Sequence, residues 1–281
     1  MRIRDRIGID IGAKMPVEQG IDWAHRHEVR YIDFRIDTSP VSFDEMTPAR
    51  CAAIKDTLAE TGIAMGLHTL SAVNIAEFSP HLSEAADAYL RSYIDIAKAT
   101  GAGWVEIHAG LHFTDDKVQR MGASLERIKR TVGYAEEKDV TLLLENLNWE
   151  PDHAEVHYLA HNLEECHFYF DAIDSPHLRW AFTINHADLL PVGIDGFIDG
   201  MDLSRCDEVR VADSHGEYEE HLPPGEGRID WQHAFDLLEN HPEFDAHYMC
   251  AFGSLEVMLQ GREYLAKEAE TALRKSKSKP V

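Results

Sequence analysis

Five residues with acid–base or metal-binding side chains follow short apolar segments along the chain: His68, His108, Glu145, His186 and His221. Imidazole nitrogen and carboxylate oxygen transfer protons near neutral pH and also bind divalent metals such as Zn²⁺ or Mn²⁺. Glu145 comes directly after three consecutive leucines, so it is predicted to lie at the end of a buried strand. Because an unpaired carboxylate is costly there, it needs a metal, an arginine partner or a catalytic proton.

Further charged residues lie at equivalent points of other apolar segments. Asp33, Arg35 and Asp37 end one such segment, and Asp213 ends another, which also carries Arg210. The loop after Asp213 adds His215, Glu219 and His221. A single histidine in such a place is usually a hydrogen-bonded structural group. The repeated occurrence of ionisable residues at strand ends is the stronger indication of a site.

These residues are separated by a regular alternation of strand-like and amphipathic helical segments. Eight such βα units, without a linker, predict an α/β chain that forms a single (β/α)₈ TIM barrel over residues 1–270. A doubly wound open sheet is the alternative, and the absence of a GxGxxG motif after the first strand disfavours it. Residues 271–281 are predicted to be a basic, disordered tail. The predicted strands are 7–11, 31–37, 63–69, 104–110, 140–146, 178–186, 207–213 and 247–253.

A barrel gathers the carboxyl ends of its strands at one face, so the ionisable residues are expected to meet there. The connection over residues 145–162 is long and carries Trp149, His153, His157, Tyr158 and His161. We interpret it as a lid that gives a substrate an aromatic wall. A packed surface loop or a dimer contact is an equally good interpretation.

The composition limits the classes of partner. The 27 Lys and Arg residues against 50 Asp and Glu give a net charge of −23, which disfavours a nucleic-acid partner. No apolar segment approaches the length of a membrane helix, and the first residues lack the pattern of a signal peptide. The four cysteines form no CxxC pair and are expected to be free thiols of a cytoplasmic protein. A homodimer is the default expectation if the chain is oligomeric.

Several segments together resemble the xylose-isomerase-like TIM barrels, which include sugar-phosphate isomerases, epimerases and endonuclease IV. The resemblance runs in order along nearly the whole chain. It implies a barrel enzyme that acts on a small hydroxy-carbonyl compound by isomerisation, epimerisation or lyase chemistry. The segments are GLHTLSAVNIA (66–76), EIHAG (106–110), LLLENLN (142–148), NHADL (185–189) and ADSHGEYEEHLPPGEGRIDW (212–231).

The resemblance also implies four ligands for one divalent metal (Mn, Zn or Mg), and only Glu145 matches them. Thr183, Arg210 and Ala251 stand at the other three positions. Two further sets match metal ligands of the endonuclease-like members: His68 and His108 with Glu145, and His186 with His221, where Glu219 stands in place of an aspartate. Whether a metal is bound is left open, with a slight preference for a metal-free site, since a guanidinium repels a cation.

Our hypothesis for the chemistry gives Arg210 the electrostatic task of the lost metal, so that Arg210→Ala abolishes turnover and the substrate carries a group that needs a cation. Glu145 or His186 is the base, and Asp213 and His221 are orienting or acid groups. A purely structural salt bridge from Arg210 to Glu145 or Asp213 is the alternative. The predicted substrate contacts are His68, His108, Arg35, Trp149 and the asparagines on either side of Leu147.

Two other functions stay open. A non-enzymatic or partner-subunit barrel would explain the loss of three ligands, whereas the retained His68, His108, Glu145 and His221 speak against it. An endonuclease IV-like nuclease would need a displaced metal cluster, and both the net charge and the lost ligands disfavour it.

Overall fold

Eight parallel strands close into a barrel in the computed structural model, which describes residues 2–278. The barrel strands neighbour one another in the order β1-β10-β9-β8-β6-β4-β3-β2, and β5 pairs with β7 outside it. The prediction of a TIM barrel is therefore confirmed, and the open sheet is excluded. The strands are β1 (Ile7–Gly12), β2 (Tyr31–Phe34), β3 (Ala64–His68), β4 (Trp104–Ile107), β5 (Leu111–Phe113), β6 (Thr141–Glu145), β7 (Val156–Tyr158), β8 (Leu178–Thr183), β9 (Cys206–Val211) and β10 (His247–Cys250).

Helices surround the barrel, and local signals set their ends. Thr47 caps the helix that Pro48 begins, by accepting a hydrogen bond from Arg50 N, and Gly62 ends it in the left-handed region at φ 68°. Gly101 ends the next helix in the same way, as the sequence predicts. The helices are α1 (Ile3–Arg6), α2 (Val17–Arg26), α3 (Pro48–Thr61), α4 (Pro80–Thr100), α5 (Lys117–Lys138), α6 (Leu163–Phe170), α7 (Ile184–Asp188), α8 (Gly193–Gly200), α9 (Trp231–Glu239) and α10 (Leu255–Ser278).

The alternation of each strand decides which side chains enter the barrel. Leu142 and Leu144 belong to the large core between strands and helices, whereas Leu143 packs inside the barrel with Trp104, Ala181 and Met249. Glu145 lies two residues beyond Leu143 and so points the same way. On β6 an apolar inward residue thus lies low in the barrel and a polar inward residue lies above it.

The sixth barrel strand is shorter than its prediction over 178–186. It ends at Thr183, and α7 begins at Ile184, so His186 lies on a helical turn rather than at a strand end. The Asn146 side chain causes this ending. It accepts a hydrogen bond from Thr183 N (3.0 Å) and donates one to Thr183 O (3.1 Å). Both backbone groups that would continue the pairing are thereby used.

The connection over residues 145–162 is partly ordered as a second sheet. Its strand β7 pairs antiparallel with β5, with Leu111 opposite Tyr158 and His112 opposite His157. Neither segment is predicted as a strand from the sequence, because a strand of three residues shows too little alternation to be recognised. The sheet fixes the outer part of the proposed lid to the chain that follows β4.

The predicted boundary at residue 270 falls within the last helix. Helix α10 continues through residues 271–278, with Ala272 buried and Leu273 packed on the core. Ala272 and Leu273 continue the apolar periodicity of the helix. The basic residues around them make this periodicity hard to see in the sequence. Residues 279–281 of the predicted tail lie outside the described residues. Among the described helices, none combines the length and the apolar character needed to cross a membrane.

Candidate active site at the mouth of the barrel

A first group of side chains converges where β3, β4 and β6 end. His68 Nε2 and His108 Nε2 lie 3.1 Å apart, and Glu145 Oε2 lies 3.0 Å from His108 Nε2 and 3.9 Å from His68 Nε2. The other carboxylate oxygen of Glu145 accepts a short hydrogen bond from Thr183 Oγ1. The three residues were predicted separately from strand ends, and the structure brings them together.

Neighbouring side chains set the protonation of this group. Burial, with the positive charge of Arg210, holds the pKa of His68 well below its usual value. Burial alone would raise the pKa of Glu145, but the hydrogen bond from His108 and the nearby His186 bring it well below its usual range. The imidazole of His68 is therefore neutral and Glu145 is ionised, the forms in which both side chains bind metals.

A second group lies beside the first and consists of His186, Glu219 and His221. Glu219 Oε1 lies 3.1 Å from His186 Nε2 and 2.6 Å from His221 Nε2. The Nδ1 atoms face backbone carbonyl oxygens, Asn146 O for His186 (2.8 Å) and Ala251 O for His221 (2.6 Å). Burial raises the pKa of Glu219, but hydrogen bonds donated by the two histidines in their protonated form lower it to about 2. We name the six residues of both groups the mouth site.

The backbone carbonyls determine how the second group can be protonated. A carbonyl oxygen only accepts hydrogen bonds, so Nδ1 of each ring must carry the proton. In a neutral ring the lone pair of Nε2 then faces the carboxylate oxygen of Glu219, which is also an acceptor. A cation among the three residues, or a proton on each ring, would relieve this repulsion. Histidines oriented by a backbone carbonyl are typical of metal sites.

Both groups line one cavity of about 530 Å³, which is large enough for a small sugar. The wall also includes Tyr158 from β7 and Ala251, the residue at the family's fourth ligand position. Trp149 is half-buried and is not among the residues that line the cavity, although its neighbours Leu147, Asn148 and Glu150 are. The predicted contact with Trp149 is thus not supported, whereas His68, His108, Arg35 and Asn148 do line the cavity.

Arg210 also lines this cavity, but its ion-pair partners are not the expected ones. Its Nη1 atom lies 2.9 Å from Asp33 Oδ2, 2.7 Å from Glu106 Oε2 and 2.8 Å from Glu208 Oε1. Its Nη2 atom lies 2.7 Å from Asp10 Oδ2. Neither Glu145 nor Asp213 is among these ion-pair partners, so the predicted salt bridge has the wrong partners. We name these five residues the interior cluster.

The interior cluster combines one cation with four carboxyl groups. Arg210 is only 2% exposed; burial would lower its pKa, but Glu106 and the other carboxyl groups raise it well above the usual value. Burial, with Glu208 nearby, raises the pKa of Asp33 well above its usual value. Burial likewise raises the pKa of Glu106. One guanidinium is therefore shared among four carboxyl groups, and burial favours the neutral form of two of them, Asp33 and Glu106.

Asp213 organises the loop after β9 and does not line the cavity. Its carboxylate accepts hydrogen bonds from the backbone N–H groups of Gly225 (2.8 Å) and Ile229 (3.1 Å) and from Trp231 Nε1 (3.1 Å). A Cβ at Gly227 would come within 2.3 Å of Asp213 Oδ1, so this position requires glycine. Asp213 thus lies apart from the other predicted catalytic residues, and its carboxylate holds the loop. Its loop carries Glu219 and His221 into the site.

The sequence analysis did not find the carboxylates Asp10, Glu106 and Glu208. Each lies at an inward position of a barrel strand, two residues from another inward residue, and this period-two pattern could have indicated them. Glu208 lies only two positions from Arg210, but the pairing of Asp10 and Glu106 with Arg210 could not have been read from the sequence, because they lie 200 and 104 positions away from it.

Comparison with known proteins identifies the family. The sequence profile described as "Xylose isomerase-like TIM barrel" matches residues 21–275. The chain therefore belongs to this family, as the resemblance of its motifs implied. No curated protein matches it in sequence.

Solved structures share the fold over nearly the whole chain. A D-tagatose 3-epimerase-like protein superposes with a TM-score of 0.82 at 17% identity, covering 96% of this chain and 99% of that one. An L-ribulose 3-epimerase gives 0.75 at 14% identity over 97% and 99% of the two chains. The D-psicose 3-epimerase of Clostridium cellulolyticum H10, solved with D-tagatose, gives 0.71 at 16% identity over 96% and 98%. At these identities the likeness establishes the fold.

Proposed function

We propose that the chain is a metal-dependent isomerase or epimerase that acts on a hydroxy-carbonyl sugar in the cavity at the barrel mouth. The observation that carries the proposal is the convergence of His68 Nε2, His108 Nε2 and Glu145 Oε2 on one small space. Family membership and the structural neighbours that are named as sugar epimerases support the class of substrate.

The mouth site fits a divalent metal. Each of its two groups offers two imidazole nitrogens and a carboxylate oxygen within 4.8 Å of one another, a donor set that suits Zn²⁺ or Mn²⁺. In the second group the three facing atoms are all acceptors when the rings are neutral. Arg210 does not oppose a metal here as strongly as the sequence suggested, since its charge is taken up by the interior cluster.

A metal bound in the mouth site would polarise the carbonyl group of the sugar and so acidify the neighbouring C–H bond. The chain's own residues would move the proton. Glu145 is ionised, and Thr183 holds its Oε1 atom while Oε2 faces the other two residues of its group. We assign Glu145 as the base that removes the proton, with His186 as its neighbour 3.8 Å away.

The residues around the cavity would hold the substrate in place. Asn148 Nδ2 donates a hydrogen bond to Glu150 Oε1 (2.7 Å), and both side chains line the cavity. Such polar groups match the hydroxyl groups of a sugar. The Tyr158 ring covers part of the same wall from the small β5–β7 sheet and provides an apolar surface for the carbon face of the ring or chain.

Solvent deuterium exchange tests the proposal, because it reports proton removal whatever the final product is. Purified protein with Mn²⁺ or Zn²⁺ is incubated in D₂O with a panel of ketoses and aldoses, and NMR follows loss of the proton next to the carbonyl. We expect exchange that stops after chelation and returns when metal is added. His108→Ala should abolish it, whereas His25→Ala, on the exposed face of α2, should not.

Two results would contradict the proposal. If exchange persists unchanged in chelated, metal-free protein, the reaction does not need a metal. Cleavage of abasic duplex DNA without any sugar exchange would assign the same ligands to a nuclease instead.

A further inference from the structure

A second cavity of about 440 Å³ adjoins the mouth cavity at the ends of β1 and β2. The two cavities share Asp10, Arg35 and His68, so a bound molecule can extend from one into the other. The wall of the second cavity consists of Asp10, Gly12, Ala13, Lys14, Arg35, Thr38 and His68. It therefore lies directly beside the residues to which the proposed function assigns the chemistry.

Two cations line the second cavity without forming an ion pair. Lys14 and Arg35 are both exposed, and within residues 2–278 neither forms a salt bridge with a carboxylate. This is unusual for a chain with 50 acidic and 27 basic residues, where most of the described arginines are paired, as Arg50 is with Glu18. Unpaired cations inside a cavity are available to an anion.

The one carboxylate in this wall does not cancel them. Asp10 Oδ2 accepts a hydrogen bond from Arg210 Nη2 (2.7 Å), so Asp10 belongs to the interior cluster and pairs with neither Lys14 nor Arg35. Because Asp10 pairs with Arg210 in the interior cluster, it leaves the positive charges of Lys14 and Arg35 at the cavity wall without an ion-pair partner.

The backbone fixes where the two cations stand. Arg35 N donates a hydrogen bond to Gly12 O (3.1 Å), which ties the ends of β1 and β2 together. Gly12 has φ +59°, and a Cβ there would lie 3.9 Å from Lys14 Nζ. The glycine therefore permits the left-handed backbone of the turn that carries Lys14.

We propose that Lys14 and Arg35 form a subsite for an anionic group, phosphate or carboxylate, on the sugar whose carbonyl end lies at His68, His108 and Glu145. The planar guanidinium of Arg35 suits two oxygens of such a group, and the ammonium of Lys14 adds a point charge. This inference rests on the proposed function for the identity of the sugar, whereas the anion subsite itself can be measured without turnover.

Inorganic phosphate is the first probe. Isothermal titration calorimetry is performed on chelator-treated protein, so that phosphate cannot bind through a metal. We expect the wild type to bind phosphate, Lys14→Met and Arg35→Met each to weaken binding about 10-fold or more, and the double variant to lose it. Lys267→Met removes the same charge from an exposed position of α10 and should leave binding unchanged. Equal binding by the wild type and the double variant, or none by the wild type, would overturn the subsite.

Substrate kinetics then separate the two kinds of anion. A ketose phosphate, a sugar acid and a neutral ketose are compared in wild type and double variant. A rise in KM with little change in kcat, confined to the phosphate or to the acid, supports the subsite and identifies its anion. The subsite is overturned if the neutral ketose is turned over at least as efficiently as both anionic sugars and the double variant does not change this. The proposed reaction would remain intact in that case.

Discussion

The mouth site and the interior cluster lie next to each other in the same barrel, and both are dense in charged side chains. They differ in whether the protein supplies its own cation. In the interior cluster Arg210 lies among four carboxyl groups, at distances of 2.7 to 2.9 Å. In the mouth site the histidine and carboxylate groups face one another without an arginine or lysine in either group.

This difference separates a structural group from a functional one. A buried set of charges that is neutralised and hydrogen-bonded within the protein contributes to the fold, and removing one partner leaves uncompensated charge. A set of hydrogen-bond acceptors that converge without a cation of the protein is suited to bind a cation from solution. The comparison predicts that substitutions in the mouth site reduce activity and that substitutions in the interior cluster reduce stability.

The largest effect is expected for Glu145→Gln. The amide cannot accept the substrate proton as a carboxylate does, so exchange and turnover should fall about 10³-fold or more, while the free energy of unfolding changes little. Deuterium exchange and urea unfolding measured on the same preparation check this. A large loss of stability with residual activity near that of the wild type would place Glu145 with the structural residues.

Arg210→Met should destabilise the protein by about 3–5 kcal/mol, because it leaves four carboxyl groups without their cation. Urea unfolding measures the loss. Adding Glu106→Gln to this variant removes one of these acids and should restore part of the stability, whereas Lys267→Met should have almost no effect. If Arg210→Met instead abolishes turnover without changing stability, the result would support the direct electrostatic role of Arg210 that is predicted from the sequence.

A smaller effect is expected for Gly66→Ala, at an inward position of β3. A Cβ there would lie 2.1 Å from Trp104 Nε1 and 2.4 Å from Asp33 Oδ1, so the barrel interior must shift, at a cost of about 1–3 kcal/mol. Gly133→Ala is the matched control, since it lies in α5 with no atom near the added Cβ. That control should stabilise the protein by up to about 1 kcal/mol. Thermal unfolding of both variants compares the two positions.

The smallest effect is a change in pH dependence. The folded-state pKa of Asp33 is raised above its unfolded value, so its contribution to stability is complete below the ordinary pKa of aspartate and is lost as the pH rises towards the folded-state pKa. Asp33→Asn does not titrate. We expect its stability relative to the wild type to improve as the pH rises from about 4 to 7. A difference that does not vary with pH over this range would show that Asp33 is ionised in the folded protein.

Much of the fold could be predicted because it depends on local patterns. The eight βα units follow from apolar segments and helix ends such as Gly101. His68 and Glu145 could be named because they end strands, and strand ends of a barrel meet at one face. The position of His186 on a helical turn could not be predicted, because the side chain of Asn146, the residue after β6, binds the backbone of Thr183 and ends β8 there.

The sequence by itself determined the barrel, its inward positions and the residue types at its mouth, since these depend on a period of two and on the order of segments. Only the tertiary structure decided how the charges pair. Arg210 and Asp10 are 200 residues apart in the chain and meet inside the barrel. Which acid an arginine neutralises depends on barrel closure. That closure places Arg210 in the interior cluster and leaves Lys14 and Arg35 at the cavity wall, where a substrate can meet them.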